Sequence, residues 1–96
     1  MVKRRCEFTE RAEADLTEIA LYIAADSPKT ALRFVDELRC HLLTEHPARN
    51  PLREEYGRGV HVAVHGRYLI FYVAHEHKVV IERILHGARH IDRMEM

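Results

Sequence analysis

Apolar residues recur every three or four positions along the first half of the chain, which is the period of an α-helix. Thr9 can cap a first helix, and Ser27 can cap a second helix that begins at Pro28 and extends to Glu45. Pro47 then ends the helical pattern, because the residue before a proline avoids helical backbone. The break between the helices is two or three residues long, so we expect an antiparallel helical hairpin. The two apolar stripes are Ala12, Leu16, Ile19, Ala20, Ile23 and Ala24, and then Ala31, Phe34, Val35, Leu38 and Leu42.

In the second half, the pattern changes to a period of two and to β-branched and aromatic residues. Residues 60–65 alternate between valine and histidine or alanine, which is typical of a strand. Two nearly continuous apolar runs follow, at residues 67–75 and 78–85, and we expect them to be central strands covered on both faces over part of their length. His65-Gly66 is the expected tight turn before the first run, and Glu76-His77 is the expected turn between the two runs.

The predicted order of elements is β-α-α-β-β-β, which indicates an α+β fold. Residues 3–8 supply a short first strand, and residues 47–59 form a loop rich in proline and glycine. We expect the helical hairpin to pack on a small, twisted, largely antiparallel sheet of three or four strands. With 96 residues, we expect a single domain over residues 1–96, of which 92–96 form a short tail. The sheet face without helices needs another cover, or it remains an apolar patch that marks a binding surface.

Charge and composition narrow the function classes. The chain has 15 basic and 15 acidic residues, so its net charge is zero with neutral histidines. That balance argues against a chain that binds DNA on its own through a basic surface. No apolar run approaches the roughly 20 residues that span a membrane, and the first residues do not resemble a secretory signal. Cys6 and Cys40 cannot form a disulfide framework, and we expect both to lie in the core of a cytoplasmic protein.

The last predicted strand ends in a polar cluster that the core does not require. Its members are Arg83, His86, Arg89, His90 and Asp92. The chain contains eight histidines, but it has neither a Cys-x-x-Cys nor a His-Glu-x-x-His pattern. We therefore predict no metal site and no cofactor.

Five segments carry a resemblance to a known family. Along the chain they are the helix pattern Ala12–Ile19, the second-helix segment Ala31–Leu38, a proline-containing loop that ends in Arg58-Gly59, the run Gly66–Tyr72, and the run Arg83–Arg89. In this order and spacing they resemble the ParE/RelE toxins of type II toxin–antitoxin systems, over roughly residues 5–92. The form of the C-terminal signature is more similar to the ParE branch than to the RelE branch.

The resemblance implies a cytoplasmic toxin that a cognate antitoxin holds inactive. RelE-type toxins cut messenger RNA on the ribosome with Lys, Arg and Tyr residues, whereas ParE-type toxins inhibit DNA gyrase and are not known as nucleases. The lysine-rich strand of a RelE-type site has no counterpart in this chain, whose lysines are Lys3, Lys29 and Lys78. We therefore favour a ParE-like, non-enzymatic toxin, with the antitoxin and DNA gyrase as its partners. The alternatives are a ribosome-dependent endoribonuclease and a non-toxic member that only binds antitoxin.

The resemblance and the polar cluster together give a set of candidate site residues. The expected contacts with target or antitoxin are Arg58, Arg67, Tyr72, Arg83, His86 and Arg89. In the ribonuclease alternative, the acid, base and cations would come from Arg67, Arg83, His86 and Arg89, with Tyr72 and His90 as further candidates. Structural roles are also open: Arg83 paired with Glu82 or Asp15, His86 as a hydrogen-bonded turn residue, and Tyr72 as a core residue.

Overall fold

The computed structural model describes residues 5–40 and 51–87, and the predicted order of elements is confirmed. The elements are β1 (Arg5–Phe8), α1 (Glu10–Asp26), α2 (Pro28–Cys40), a 3-10 turn (Glu54–Tyr56), β2 (Val60–His65), β3 (Tyr68–Ala74) and β4 (Lys78–His86). The predicted end of the second helix, its stripe residue Leu42 and the short tail lie outside the described residues. No described helix is long and apolar enough to cross a membrane.

The four strands form one mixed sheet in the order β1-β4-β3-β2. β1 runs parallel to β4, and the other two pairings are antiparallel. β3 and β4 are central, as their continuous apolar character predicts. Tyr68 pairs with His86 at one end of the central hairpin, and Ala74 pairs with Val79 at the other end. Candidate residues near the Tyr68–His86 pair therefore lie at the opposite end of the sheet from those near the Ala74–Val79 pair.

Thr9 joins the first strand, the first helix and the last strand. Its hydroxyl accepts a hydrogen bond from the Ala12 N–H at 3.1 Å and donates one to the Glu82 carbonyl at 2.9 Å. Its own N–H donates to the Ile81 carbonyl at 3.0 Å. The predicted N-cap is thus confirmed, and it also fixes where α1 begins relative to the sheet.

The helical hairpin covers one face of the sheet. The buried residues of this core are Ala12, Leu16, Phe34, Leu38, Ala63, Ile70, Tyr72, Val79, Ile81 and Ile84. Between the helices, the Ser27 hydroxyl accepts a hydrogen bond from the Thr30 N–H at 3.3 Å, which confirms it as the second cap. Cys6 is partly buried beside this core, and its thiol donates a hydrogen bond to the Leu38 carbonyl at 3.7 Å. The side chain of Cys40 lies outside the described part of the chain.

The opposite face has a smaller apolar cluster of Val60, Phe71 and Leu85. Tyr56, from the 3-10 turn, covers part of it, with its ring edge-on to Phe71 at 5.2 Å between centroids. The expectation of a plain loop over residues 47–59 is therefore incomplete, since its described part contains this turn and a bridge between Leu52 and His61. The cover is partial, because the Val64 side chain is still 70% exposed.

A β-bulge in β4 decides where Arg83 lies. Phe71 pairs with Arg83, but the next residue, Tyr72, pairs with Ile81, so Glu82 is an extra residue in the strand. The bulge shifts the alternation, and Ile84 follows Ile81 into the core beneath the helices.

The turn between β2 and β3 lies one residue later than predicted. The strands end at His65 and resume at Tyr68, so Gly66 and Arg67 form the turn. Gly66 has a φ of +63°, and no other residue type takes a positive φ in the described chain. The prediction that His65 occupies the turn was wrong, because glycine in the first central position already provides the left-handed backbone that such a hairpin needs.

Candidate functional site

Arg83 is held by a carboxylate of the first helix. Its Nε donates to Oδ2 of Asp15 at 2.7 Å, and its Nη2 donates to Oδ1 at 3.2 Å. The Asp15 side chain is 15% exposed and that of Arg83 is 32% exposed. The hydrogen bond to Asp15 raises the pKa of the guanidinium, although partial burial opposes that shift. Of the structural alternatives for Arg83, the pair with Asp15 is the one that forms.

The same carboxylate closes an edge of the sheet. β1 is short and accompanies β4 only as far as Ile81, so the end of β4 has β3 on one side and no strand on the other. Oδ2 of Asp15 accepts a hydrogen bond from the Ile84 N–H at 3.0 Å. The Thr9 hydroxyl donates a hydrogen bond to the Glu82 carbonyl on the same edge. α1 therefore replaces the missing strand with side-chain partners, and this position of Asp15 determines the position of Arg83.

His86 ends β4 and is half-buried against Tyr68. The two rings meet edge to face, with 5.3 Å between their centroids. Nδ1 of His86 is enclosed and has no hydrogen-bond partner among the described residues. The hydrogen bond at this turn is made by the backbone instead, from the Gly87 N–H to the Arg67 carbonyl at 2.9 Å. His86 is thus placed by ring packing, and one of its nitrogens is left without a partner there.

Tyr72 must be removed from the candidate contact residues. Its side chain is 0% exposed and lies in the core beneath the helices. Its ring stacks on His61 at 5.4 Å between centroids. A partner cannot reach a fully buried ring without unfolding this part of the sheet, so predicting a surface role was wrong and the core alternative holds.

The two remaining described candidates, Arg67 and Arg58, lie towards opposite ends of the sheet. Arg67 is exposed in the turn before β3, at the end of the sheet where Tyr68 pairs with His86. Arg58 is also exposed, but it precedes Val60, which pairs with Val73 near the other end of β3. Arg89 and His90 lie outside the described residues.

A groove runs between α1 and the end of the sheet that carries His86. Its first part has a volume of about 430 Å³ and is lined by Glu18, Ile19, Tyr22, Tyr68 and His86. A second part of about 660 Å³ shares Tyr22 and Tyr68 and extends to Asp26, Thr30 and Arg67. We refer to these two parts together as the α1–sheet groove. It brings together two of the predicted residues, Arg67 and His86.

Of the α1 side of this groove, the sequence patterns singled out the stripe residues Ile19 and Ile23 but not the exposed residues Glu18 and Tyr22. Tyr22 is 73% exposed and lies outside the apolar stripe of its helix. Glu18 is an exposed carboxylate on a helix with several other acidic residues, a pattern that by itself indicates only a solvated surface. An aromatic side chain outside the core stripe was the one signal that pointed to this surface.

Within residues 5–40 and 51–87, no group of three or more histidine, cysteine or acidic side chains is arranged to hold a metal ion. The described lining of the groove includes aromatic surface, the carboxylates of Glu18 and Asp26, the guanidinium of Arg67 and the imidazole of His86.

Comparisons with known proteins agree with this fold. The family model described as the ParE toxin of the type II toxin–antitoxin system parDE matches residues 6–91. The structure of the toxin–antitoxin complex RelBE2 from Mycobacterium tuberculosis contains a chain 31% identical to this one, with a TM-score of 0.64 and coverage of 90% of this chain and 93% of that chain. A chain of the chromosomal ParDE system from P. aeruginosa is 20% identical, with a TM-score of 0.64 and coverage of 88% and 96%, and it supports the fold alone. Curated proteins give no significant match.

The family match extends over nearly the whole chain and includes every described strand and helix except Arg5, the first residue of β1. The two helices on a four-stranded mixed sheet are the fold of the RelE/ParE-like toxins. The chain belongs to the ParE toxin family of type II toxin–antitoxin systems.

Proposed function

We propose that this chain is a ParE-like toxin that inhibits DNA gyrase by binding to it in the cytoplasm and that a cognate antitoxin neutralises it. The proposal rests on the family match together with the hydrogen bonds that pair Arg83 with Asp15. A guanidinium that donates two hydrogen bonds to Asp15 already has its charge compensated. It is therefore poorly suited to stabilise the negative charge that develops on a phosphate during RNA cleavage.

The arrangement of the other described candidates supports the same proposal. RNA cleavage through a 2′-hydroxyl needs an acid, a base and cations within reach of one phosphate. Among the described residues, Arg67 and His86 border the α1–sheet groove, while Arg58 lies towards the opposite end of the sheet. Glu18 and Asp26 line the same groove, and their carboxylates repel a phosphate backbone.

A ribosome-dependent endoribonuclease of the RelE type is the second candidate function. The observation in its favour is the 31% identity to a chain of a RelBE complex. In that case His86 would be the acid or base, and Arg67 and Arg89 would supply the cations. His86→Ala should then lower cleavage by a factor of about 100 or more.

The test applies both assays to one preparation of purified toxin. Gyrase supercoiling is measured over a toxin titration, and primer extension on translated message detects codon-linked cuts. Loss of supercoiling without cuts is the expected result. Cuts with unaffected supercoiling at a large excess of toxin would overturn the proposal in favour of the endoribonuclease.

Expression of the toxin without its antitoxin separates both functions from a non-toxic member. We expect host growth to stop when the toxin is expressed alone and to recover when the antitoxin is co-expressed. Normal growth with toxin present at a verified level would contradict a toxic function of either kind.

A further inference from the structure

We propose that the outer face of the helical hairpin binds a second copy of this chain, with α1 of each copy packed against α2 of the other. This self-association goes beyond the proposed function and does not depend on the target or on the antitoxin. It rests on two exposed leucines, on their place in the hairpin and on the charges of the two helices.

Leu21 and Leu32 are large apolar side chains that the fold leaves in solvent. Leu21 is 68% exposed and Leu32 is 70% exposed. At about 100° of rotation per residue, Leu21 lies about 140° round α1 from the buried Leu16. By the same rule, Leu32 lies about 160° round α2 from the buried Phe34. Both leucines therefore face away from the sheet, and neither belongs to the described lining of the α1–sheet groove.

The two leucines lie at the same level of the hairpin. Only Ser27 separates α1 from α2, and Leu21 precedes it by six residues while Leu32 follows it by five. With a rise of about 1.5 Å per residue, these offsets place the two leucines at nearly equal heights on antiparallel helices. Exposed small or apolar residues of the same part of the hairpin are Thr17, Ala25 and Pro28. Both helices thus contribute to one apolar patch.

A two-fold axis parallel to the helices makes this patch complementary to itself. Such an axis places α1 of one copy over α2 of the other, and symmetry creates the reverse pair as well. Leu21 then meets Leu32 of the second copy, and this contact occurs twice in the dimer. Each contact buries apolar surface that is in water in the single chain, which stabilises the dimer.

The charges of the helices favour this crossed arrangement over the packing of like helices. The exposed charged residues of α1 are mostly acidic: Glu10, Arg11, Glu13, Glu18 and Asp26. Those of the described part of α2 are mostly basic: Lys29, Arg33 and Asp36. Packing α1 against α1 would bring two acidic helices together, whereas packing α1 against α2 brings opposite charges together. The acidic charge of α1 also disfavours a nucleic acid as the occupant of this face.

The size of the face sets the strength of the dimer. α1 has 17 residues, so two adjacent helices of this length cover at most about 25 Å by 20 Å, or about 500 Å² per chain. Stable complexes bury about 800 Å² per partner. We therefore expect a weak dimer with a Kd on the order of 10 μM, which dissociates on dilution.

The oligomeric state of the purified toxin tests this proposal, measured by sedimentation velocity from about 1 to about 500 μM. Leu21→Lys and Leu32→Glu each place a charge in the patch. Leu52→Glu is the matched control, since Leu52 is a 52% exposed leucine in the segment before β2. All three side chains are exposed, and circular dichroism checks that each variant keeps the native fold. A last sample mixes equal amounts of Leu21→Lys and Leu32→Glu.

We expect the wild type to change from monomer to dimer within this range of concentrations. Leu21→Lys and Leu32→Glu should each weaken dimerisation about 10-fold or more, and Leu52→Glu should stay within about 2-fold of the wild type. The mixture should dimerise within about 3-fold of the wild type. In the mixed dimer one contact pairs the introduced lysine with the introduced glutamate, and the other contact keeps both native leucines.

A wild-type toxin that stays monomeric at about 500 μM would overturn the proposal. A dimer that tolerates both leucine variants, or that only Leu52→Glu disperses, would place the interface elsewhere and overturn it as well. A mixture that stays monomeric would contradict the packing of α1 against α2. None of these results depends on gyrase inhibition or on RNA cleavage, so failure here leaves the proposed function intact.

Discussion

Replacing Asp15 with asparagine gives the sharpest test of how the candidate site is built. The change keeps the size and shape of the side chain but removes its charge. The asparagine oxygen can replace Oδ2 and accept from both the Ile84 N–H and Arg83 Nε, but the amide NH₂ group then faces Nη2 of Arg83, donor against donor. The change therefore removes one hydrogen bond and the ion pair of Arg83, and it weakens the contact that joins the helix to the sheet edge.

The expected cost lies between two limits. Exposed ion pairs contribute about 0–1 kcal/mol, and breaking a fully buried pair costs about 3–5 kcal/mol. Asp15 is 15% exposed and Arg83 is 32% exposed, which places this pair between them. A hydrogen bond to a charged group contributes about 1.5–3 kcal/mol. We therefore expect Asp15→Asn to lower the free energy of unfolding by about 2 kcal/mol, and Asp15→Ala, which leaves the Ile84 N–H without a partner, by about 3 kcal/mol.

Urea unfolding followed by circular dichroism measures this loss. Glu18→Gln is the matched control, because it makes the same chemical change one turn along the helix at an exposed carboxylate. It should change the free energy of unfolding by less than about 0.5 kcal/mol. If Asp15→Asn and Glu18→Gln have equal effects, the Asp15–Arg83 pair does not stabilise this protein and the reasoning is refuted.

The same residue separates a structural role of Arg83 from a contact role. Asp15→Ala keeps the Arg83 side chain but removes the carboxylate that positions its guanidinium. If Arg83 acts mainly through the fold, Asp15→Ala and Arg83→Ala should reduce toxicity to a similar degree and in proportion to their loss of stability. If Arg83 contacts the target, Arg83→Ala should abolish toxicity even at a temperature where it is fully folded.

Three further changes test the fold around the site, each by urea unfolding. Thr9→Ala removes the helix cap and the hydrogen bond to Glu82, and should lower the free energy of unfolding by about 1 kcal/mol. Thr9→Ser keeps the hydroxyl and should be close to wild type, so equal losses in the two variants would contradict the capping role. Gly66→Ala should cost about 1 kcal/mol through the backbone alone, because φ is +63° and a Cβ would meet nothing within 4 Å; a neutral result would contradict the positive φ. Tyr56→Ala should cost about 2 kcal/mol by uncovering Phe71, and Tyr56→Phe should cost little; no loss in Tyr56→Ala would mean that the 3-10 turn does not cover the sheet.

The helical hairpin and the central strands could be predicted because each leaves a periodic signal in the sequence. Thr9 and Ser27 occupy the positions where caps are needed, and the structure shows both making the capping hydrogen bonds. The two continuous apolar runs indicated central strands, and β3 and β4 are central. Such elements depend on local patterns, which is why sequence reasoning recovers them.

The candidate site was less predictable because it depends on register and on contacts between distant segments. The extra residue Glu82 leaves no signal in a run that is apolar at most positions, yet it decides on which side Arg83 lies. The burial of Tyr72 follows from the same register. The cover that Tyr56 provides comes from a segment whose prolines and glycines predict only a loop. In each case the deciding contact joins residues that are far apart in the sequence.

The central claim is that this toxin acts by occupying another protein and not by catalysis, and the dose dependence of gyrase inhibition tests it most directly. Supercoiling activity is measured against the molar ratio of toxin to gyrase, with antitoxin added at each ratio. Binding predicts that inhibition saturates as gyrase becomes occupied, that it does not grow with incubation time once equilibrium is reached, and that antitoxin reverses it. Unaffected supercoiling at every ratio, or loss of activity that continues with time at a small fraction of toxin per gyrase, would contradict the account.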